Sequence, residues 1–222
     1  LVSNILAART LRAFTAVLSA LSLTFLASCD RAPRTITNVY FNADSVQAVR
    51  QAKDRYWREG EASPLKAEDK ALFQGLAYFP PTADFCVPAR FEEFAEADTA
   101  RLQTSDNELR PMVRAGRFHF RAGGDSCVLT AYRYVGVEGK MQTGYFVPFK
   151  DATNGTDTYR LGRYLDVAPP RAPNEPYILD FNYAFNPYCN YNEDYSCPLT
   201  PRENILTVAI EAGEKIFFRP RK

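Results

Sequence analysis

The chain has 222 residues, 46% of them hydrophobic and 24% charged, and a net charge of +1. That length and composition describe one ordinary folded domain, with or without a processed segment, and exclude a largely disordered chain. The near-zero charge excludes a general nucleic-acid binder, which needs a basic excess on phosphate; the single imidazole, His119, excludes a histidine-rich metal site.

Arg9 and Arg12 precede a charge-free run from Ala13 to Ala27. As a helix this run spans roughly 22 Å, short of the ~30 Å hydrocarbon core, and it reads as a signal-peptide apolar region. It ends in Leu26-Ala27-Ser28-Cys29, which resembles the lipobox of bacterial lipoproteins. The resemblance implies cleavage before Cys29, lipidation of that cysteine by acyl chains such as palmitate, and anchoring in the lipid bilayer of the cell envelope. Several acyl chains hold stably where a single one is marginal. Asp30 follows, and by resemblance to enteric lipoproteins an acidic residue there favours the periplasmic side of the inner membrane, with the outer membrane still open. Loss of residues 1–28 removes Arg9 and Arg12 and turns the net charge to −1. Residues 29–40 then read as the lipidated cysteine and a tether, and 41–222 as a single domain.

Asn42 to Gly60 reads as a helix with Val46, Val49, Lys53, Tyr56 and Trp57 on one face, capped by Asp44 or Ser45 and stopped by Gly60. A second helix is expected from Ser63 and Pro64 to Gly75. Beyond Tyr78 short apolar runs are punctuated by Gly and Pro. Phe85–Phe91 is a candidate strand. Phe118 and Phe120 alternate with His119, and Gly123-Gly124 supplies a hairpin turn into a strand over Cys127–Val135. Val128, Thr130, Tyr132 and Tyr134 share one face of it. Gly144–Phe149, Arg163–Val167, Tyr177–Tyr183, Ile205–Glu211 and Lys215–Phe218 complete the strands. This pattern predicts a mainly β domain with an N-terminal helical segment, built as an antiparallel β-sandwich or barrel.

Four cysteines remain once Cys29 is set aside. In an oxidising compartment Cys189 and Cys197, close in one loop, are candidates for a disulfide, which leaves Cys86 for Cys127. Their spacing, with no histidine near, does not suit zinc, so no metal is expected. No nucleotide, flavin or other cofactor motif is present, and no cofactor is expected.

Polar and aromatic residues gather between Phe149 and Lys215. Asp151 opens a turn around Asn154-Gly155; Tyr159, Arg163, Tyr164 and Asp166 follow, then Asp180, Asn182 and Glu214. In a strand, Tyr164 and Asp166 face one way, Arg163 and Leu165 the other. Pairing of the two strands concerned would collect Asp166, Asp180 and Asn182 on one face, as a ligand site or an acid/base pair. The plainer reading gives these residues to turns and to a buried ion pair of Arg163 with Asp180.

The segments Phe73-Gln74-Gly75-Leu76-Ala77-Tyr78-Phe79, Pro148-Phe149-Lys150-Asp151-Ala152-Thr153-Asn154-Gly155, Thr158-Tyr159-Arg160-Leu161-Gly162-Arg163-Tyr164-Leu165-Asp166, Asp180-Phe181-Asn182-Tyr183-Ala184-Phe185-Asn186-Pro187-Tyr188-Cys189, Ser196-Cys197-Pro198-Leu199 and Ala212-Gly213-Glu214-Lys215 occur in order. Together they resemble the bacterial family named domain of unknown function 1684, over about residues 46–218. Phe185 stands where Tyr is usual and Thr200 where Pro is usual. The resemblance implies little about activity. Three functions stand on the residues: an envelope binding module for a small molecule or glycan, a cofactor-independent hydrolase working with carboxylates, and a non-catalytic structural or interaction lipoprotein. Protein partners are not specified by any motif.

Overall fold

A computed structural model describes residues 38–135 and 144–218. The expected signal peptide, Cys29 and most of the expected tether lie outside the described residues. A helix, α1 (Ala43–Glu59), is followed by a single-turn helix, α2 (Ala67–Lys70). Six strands then run β1 (Cys86–Gln103), β2 (Leu109–Ala122), β3 (Asp125–Tyr134), β4 (Tyr145–Phe149), β5 (Arg163–Val167) and β6 (Tyr177–Asp180).

The strands pair antiparallel in the order β5-β4-β3-β2-β1-β6. This sheet curls into a nearly closed barrel, with β5 and β6 at its two edges. Phe118, Leu129, Val147, Phe149, Leu165, Leu179 and Phe181 fill the interior. Burying each such side chain contributes about 1.5–3 kcal/mol. The β2–β3 hairpin follows the sequence closely: Gly123 and Gly124 both take positive φ, 58° and 89°, as a two-residue hairpin turn demands. Phe118 and Phe120 point inward and His119 outward, where its Nε2 meets Glu92 at 2.9 Å.

Several expectations are corrected. The cap of α1 is Asn42, whose side chain accepts from the Ser45 N–H, and not Asp44 or Ser45. Its inner face is Val46, Arg50 and Trp57; Val49 and Tyr56 are exposed. Ser63 starts no helix: its hydroxyl donates to the Trp57 carbonyl at 2.6 Å, and α2 is confined to Ala67–Lys70. On β3 the face shared, as expected, by Val128, Thr130, Tyr132 and Tyr134 is the one turned away from the main core, which takes Cys127, Leu129 and Ala131. β1 continues through its acidic stretch to Gln103, carried past an irregularity between Glu93 and Asp98 by its pairing with β2. Beyond Asp180 the chain turns into a 3-10 helix, Phe181–Tyr183, where a strand was expected.

Ile205–Glu211 and Lys215–Phe218 are not strands. The tail from Asn204 runs extended across the barrel, with Leu206, Val208, Ile210 and Ala212 turned into the core. Its backbone is held one bond at a time: Leu206 donates to Lys150, Ala152 to Val208 and Glu214 to Ala184. Packing joins α1 to this tail and to residues 182–191, with Trp57 edge-on to Tyr191 and Tyr188. No helix among the described residues is long and apolar enough to cross a membrane.

Candidate functional site

The residues picked out from the sequence separate into two groups. Asp151 and Arg163 belong to the frame. Arg163 is fully buried on β5, and its Nη2 donates to Asp151 Oδ2 at 2.8 Å and to the Ile210 carbonyl at 2.8 Å. Its Nη1 donates to the carbonyls of Ala212 and Glu214. Burial pulls the guanidinium below its ordinary range, and the Asp151 carboxylate opposes that shift. Asp151 also accepts from the Thr153 N–H and hydroxyl, at 2.8 and 2.5 Å. The pair therefore fastens the tail to the barrel; the one Arg163 nitrogen it leaves without a hydrogen-bond partner, Nε, is fully buried. Its acid is Asp151, not Asp180. Arg163 faces inward beside Leu165, whereas Asp180 is taken up in a turn on the far edge of the sheet.

Asp180 Oδ1 accepts from the Asn182 N–H at 3.0 Å and from Nδ2 at 2.7 Å, capping the 3-10 helix. Tyr164 is buried against Phe146 and Phe185, and its hydroxyl donates to the Pro198 carbonyl at 2.5 Å. Tyr159 lies 3.9 Å from the Cys189 sulfur, away from the other candidates. All four cysteines within the described residues are free thiols, so neither expected disulfide is formed in the structure.

Asp166, Asn182 and Glu214 do come together. They line a cavity of about 240 Å³ with Arg50, Lys53 and Tyr78. Near-closure of the barrel brings the β5 end to the turn after β6, α1 lays Arg50 and Lys53 over the gap, and the tail delivers Glu214. The Glu214 carboxylate is saturated: it pairs with Lys53 and accepts from the Asn186 N–H and the Tyr191 hydroxyl. Burial and the Glu214 charge raise the Tyr191 phenol well above its usual value. Asp166 stands at the rim, open to solvent on one side; desolvation by the walls on the other raises its carboxyl, and Lys53 opposes this.

Arg50 is different. Only 6% of it is exposed, yet no carboxylate lies within ion-pair distance among the described residues. Its Nη1 and Nη2 donate to the carbonyls of Phe79 and Asn182, at 2.8 and 3.3 Å, and its guanidinium stacks on the Tyr78 ring at 4.5 Å. Its Nε and the Tyr78 hydroxyl are buried without a hydrogen-bond partner. Desolvation lowers the Arg50 pKa and raises that of Tyr78, so the hydroxyl keeps its proton.

Sequence reasoning missed both residues. An arginine within a helix reads as solvated, and Tyr78 stands only as the boundary before the β-rich region and as part of the segment Phe73–Phe79. The available signal was register: Val46, Arg50, Lys53 and Trp57 recur at helical spacing, so two cations occupy the buried face. A wider and more open hollow beside His119, lined by Val87, Arg90 and Cys127, gathers no comparable set of polar groups. No cluster of three potential metal ligands occurs among the described residues.

Comparison with known proteins agrees with this frame. A solution NMR structure of an uncharacterised protein from Haloarcula marismortui is similar, with 36% identity and a TM-score of 0.60, covering 78% of this chain and 92% of that one. Among curated proteins nothing matches. The model of the family described as protein of unknown function (DUF1684) matches residues 71–215, which spans β1 to β6 and most of the tail. The chain belongs to that DUF1684 family.

Proposed function

We propose that this protein is a binding module that takes a small molecule bearing one anionic group, a carboxylate or a phosphate, into the cavity beneath α1. One observation carries the reading: Arg50 is a buried cation with an unpartnered Nε and, among the described residues, no carboxylate within ion-pair distance, beside the unpartnered Tyr78 hydroxyl, and both residues line the cavity. Most buried polar groups in folded proteins are paired, and among the buried unpartnered side-chain atoms of the described residues these two are the ones that line this cavity. An incoming anion supplies the missing charge to Arg50 and an acceptor to the phenol. At about 240 Å³ the cavity suits a metabolite and is too small for an extended glycan chain. Hydrolysis by a carboxylate pair is less well supported, because Glu214 is fully occupied by Lys53, Asn186 and Tyr191.

The test is thermal shift of the full chain against small carboxylates, inorganic phosphate and neutral sugars. A true ligand at about a hundred times its Kd stabilises by about 2.7 kcal/mol. Carboxylates or phosphate should raise the melting temperature of the wild type, and Tyr78→Phe and Arg50→Met should abolish the shift. Equal shifts in all three proteins would remove the proposal.

Cys29 supports the further reading that the module is tethered to a bacterial envelope membrane by lipid. Palmitate labelling of cells should mark the wild-type protein; label retained by Cys29→Ala would defeat the anchoring.

A further inference from the structure

Cys189 and Cys197 meet away from the Arg50 cavity, and their surroundings are unequal. Cys189 lies in a short 3-10 turn, Tyr188–Asn190, and is half-buried. Cys197 is buried and fixed behind it. The Cys189 N–H donates to the Cys197 sulfur at 3.2 Å, which sets the two cysteines side by side. The Tyr159 hydroxyl reaches the Cys189 sulfur from the other side, at 3.9 Å. Cys197 is held at the β1–β2 turn: its N–H donates to Ser105 Oγ at 3.1 Å, and its carbonyl accepts from the Ser105 N–H at 2.9 Å. Buried cysteines that only fill space need no donors around sulfur. Here one sulfur is half-buried with the Tyr159 hydroxyl beside it, and the other takes the Cys189 N–H and stands behind it on a rigid support.

We propose that Cys189 and Cys197 form a redox-active dithiol that reacts with low-molecular-weight disulfides, Cys189 attacking and Cys197 resolving. The Cys197 hydrogen bond, helped by Ser105 and Tyr159, holds the Cys189 thiol below the ordinary thiol range, while Cys197 is pushed up. The Cys189 thiolate attacks one sulfur of R–S–S–R; that S–S bond breaks, RS⁻ departs, and Cys189 carries a mixed disulfide. The departing thiolate takes the Cys197 proton. Cys197 then attacks the Cys189 sulfur and expels the second RS⁻, leaving a Cys189–Cys197 bond. Two electrons have passed from the dithiol to the small disulfide, which ends as two thiols after one proton returns from solvent. Cys86 and Cys127 serve as controls within the same molecule. Burial raises both thiols, Cys86 to about 12, so neither presents a thiolate.

The experiment uses the full chain, reduced, freed of reductant, mixed with oxidised glutathione at neutral pH, quenched by alkylation and mapped by peptide. The expected wild-type product is a Cys189–Cys197 link, with Cys86 and Cys127 still alkylated. Cys197→Ser should stop at a glutathione adduct on Cys189. Cys189→Ser should acquire an adduct on Cys197 at least about tenfold more slowly. Wild type that keeps both thiols alkylatable, or single variants that react at equal rates, would overturn the assignment. Should either variant fail to fold, the wild type alone decides: a linked peptide supports the dithiol, and two persistent thiols sink it. Neither result bears on anion binding at Arg50, so the two proposals stand or fall separately.

Discussion

Two buried guanidinium groups show how little the residue type alone decides. Arg163 has a carboxylate and three carbonyls around it; Arg50 has two carbonyls and a ring face and, among the described residues, no carboxylate within ion-pair distance, while the Nε of each is unpartnered. The first should behave as structure. Asp151→Asn leaves a fully buried cation without its counter-ion, which costs about 3–5 kcal/mol. Urea denaturation should show a correspondingly lower midpoint, with anion binding in the surviving folded fraction retained. Asp166 gives a pH signature. Its carboxyl is raised above the unfolded value of 3.8, so the native state holds the proton more tightly. The stability this contributes is present below pH 3.8 and is lost as pH rises through the raised value. Asp166→Asn should therefore match the wild type in acid and become the more stable protein toward neutrality, as read from melting temperature across pH. A wild type that gains on the variant as pH rises would contradict the assigned direction.

At the scale of elements, alternation in the sequence recorded backbone extension faithfully but not pairing. Leu206, Val208, Ile210 and Ala212 alternate inward as they would in a strand, yet the tail's backbone is held by Lys150, Ala152, Ala184 and the Arg163 side chain. Local pattern reports which side chains are buried; the partner is set by distant chain. Where both strands of a pair are adjacent in sequence, as at Gly123-Gly124, the element was legible in full. The same limit explains the site. Asp166, Asn182 and Glu214 were readable as polar residues in a dense segment, but Arg50 and Tyr78 come from a helix and a bridge far upstream. Gly213 locks this tail segment. It holds φ at 77°, and a Cβ there would lie 2.6 Å from the Ala184 carbonyl oxygen and 2.7 Å from that of Phe181. Gly213→Ala should cost about 2 kcal/mol or more. The expected readout is a lower urea midpoint together with weaker anion binding, because Glu214 and its Lys53 contact shift with the backbone.

Over the whole molecule, the gap between the edge strands is bridged by the backbones of Tyr164 on β5 and Phe185 beyond β6, and the tail is fastened across the barrel. β5 and β6 are the sheet's edges, and the tail from Asn204 to Glu214 supplies the carbonyls that neutral hydrogen bonding around Arg163 requires. Removing residues 211–222 takes away two of the three. The truncated chain should lose its cooperative unfolding transition. A truncated protein that still melted in one sharp step would show that the strands suffice without the tail.

The bond from Lys53 to Glu214 joins the first helix to the last segment of the described chain. During synthesis the N-terminal part emerges first and begins to fold before the rest exists. α1 appears early with Arg50 and Lys53 on its inner face, but Arg50 lacks part of its seat until residue 182 has left the ribosome, and Lys53 lacks its partner until residue 214 has. No nascent fragment that stops short of residue 214 can therefore present the finished cavity. The polarity of translation makes the proposed ligand capture a property of a chain carried through residue 214.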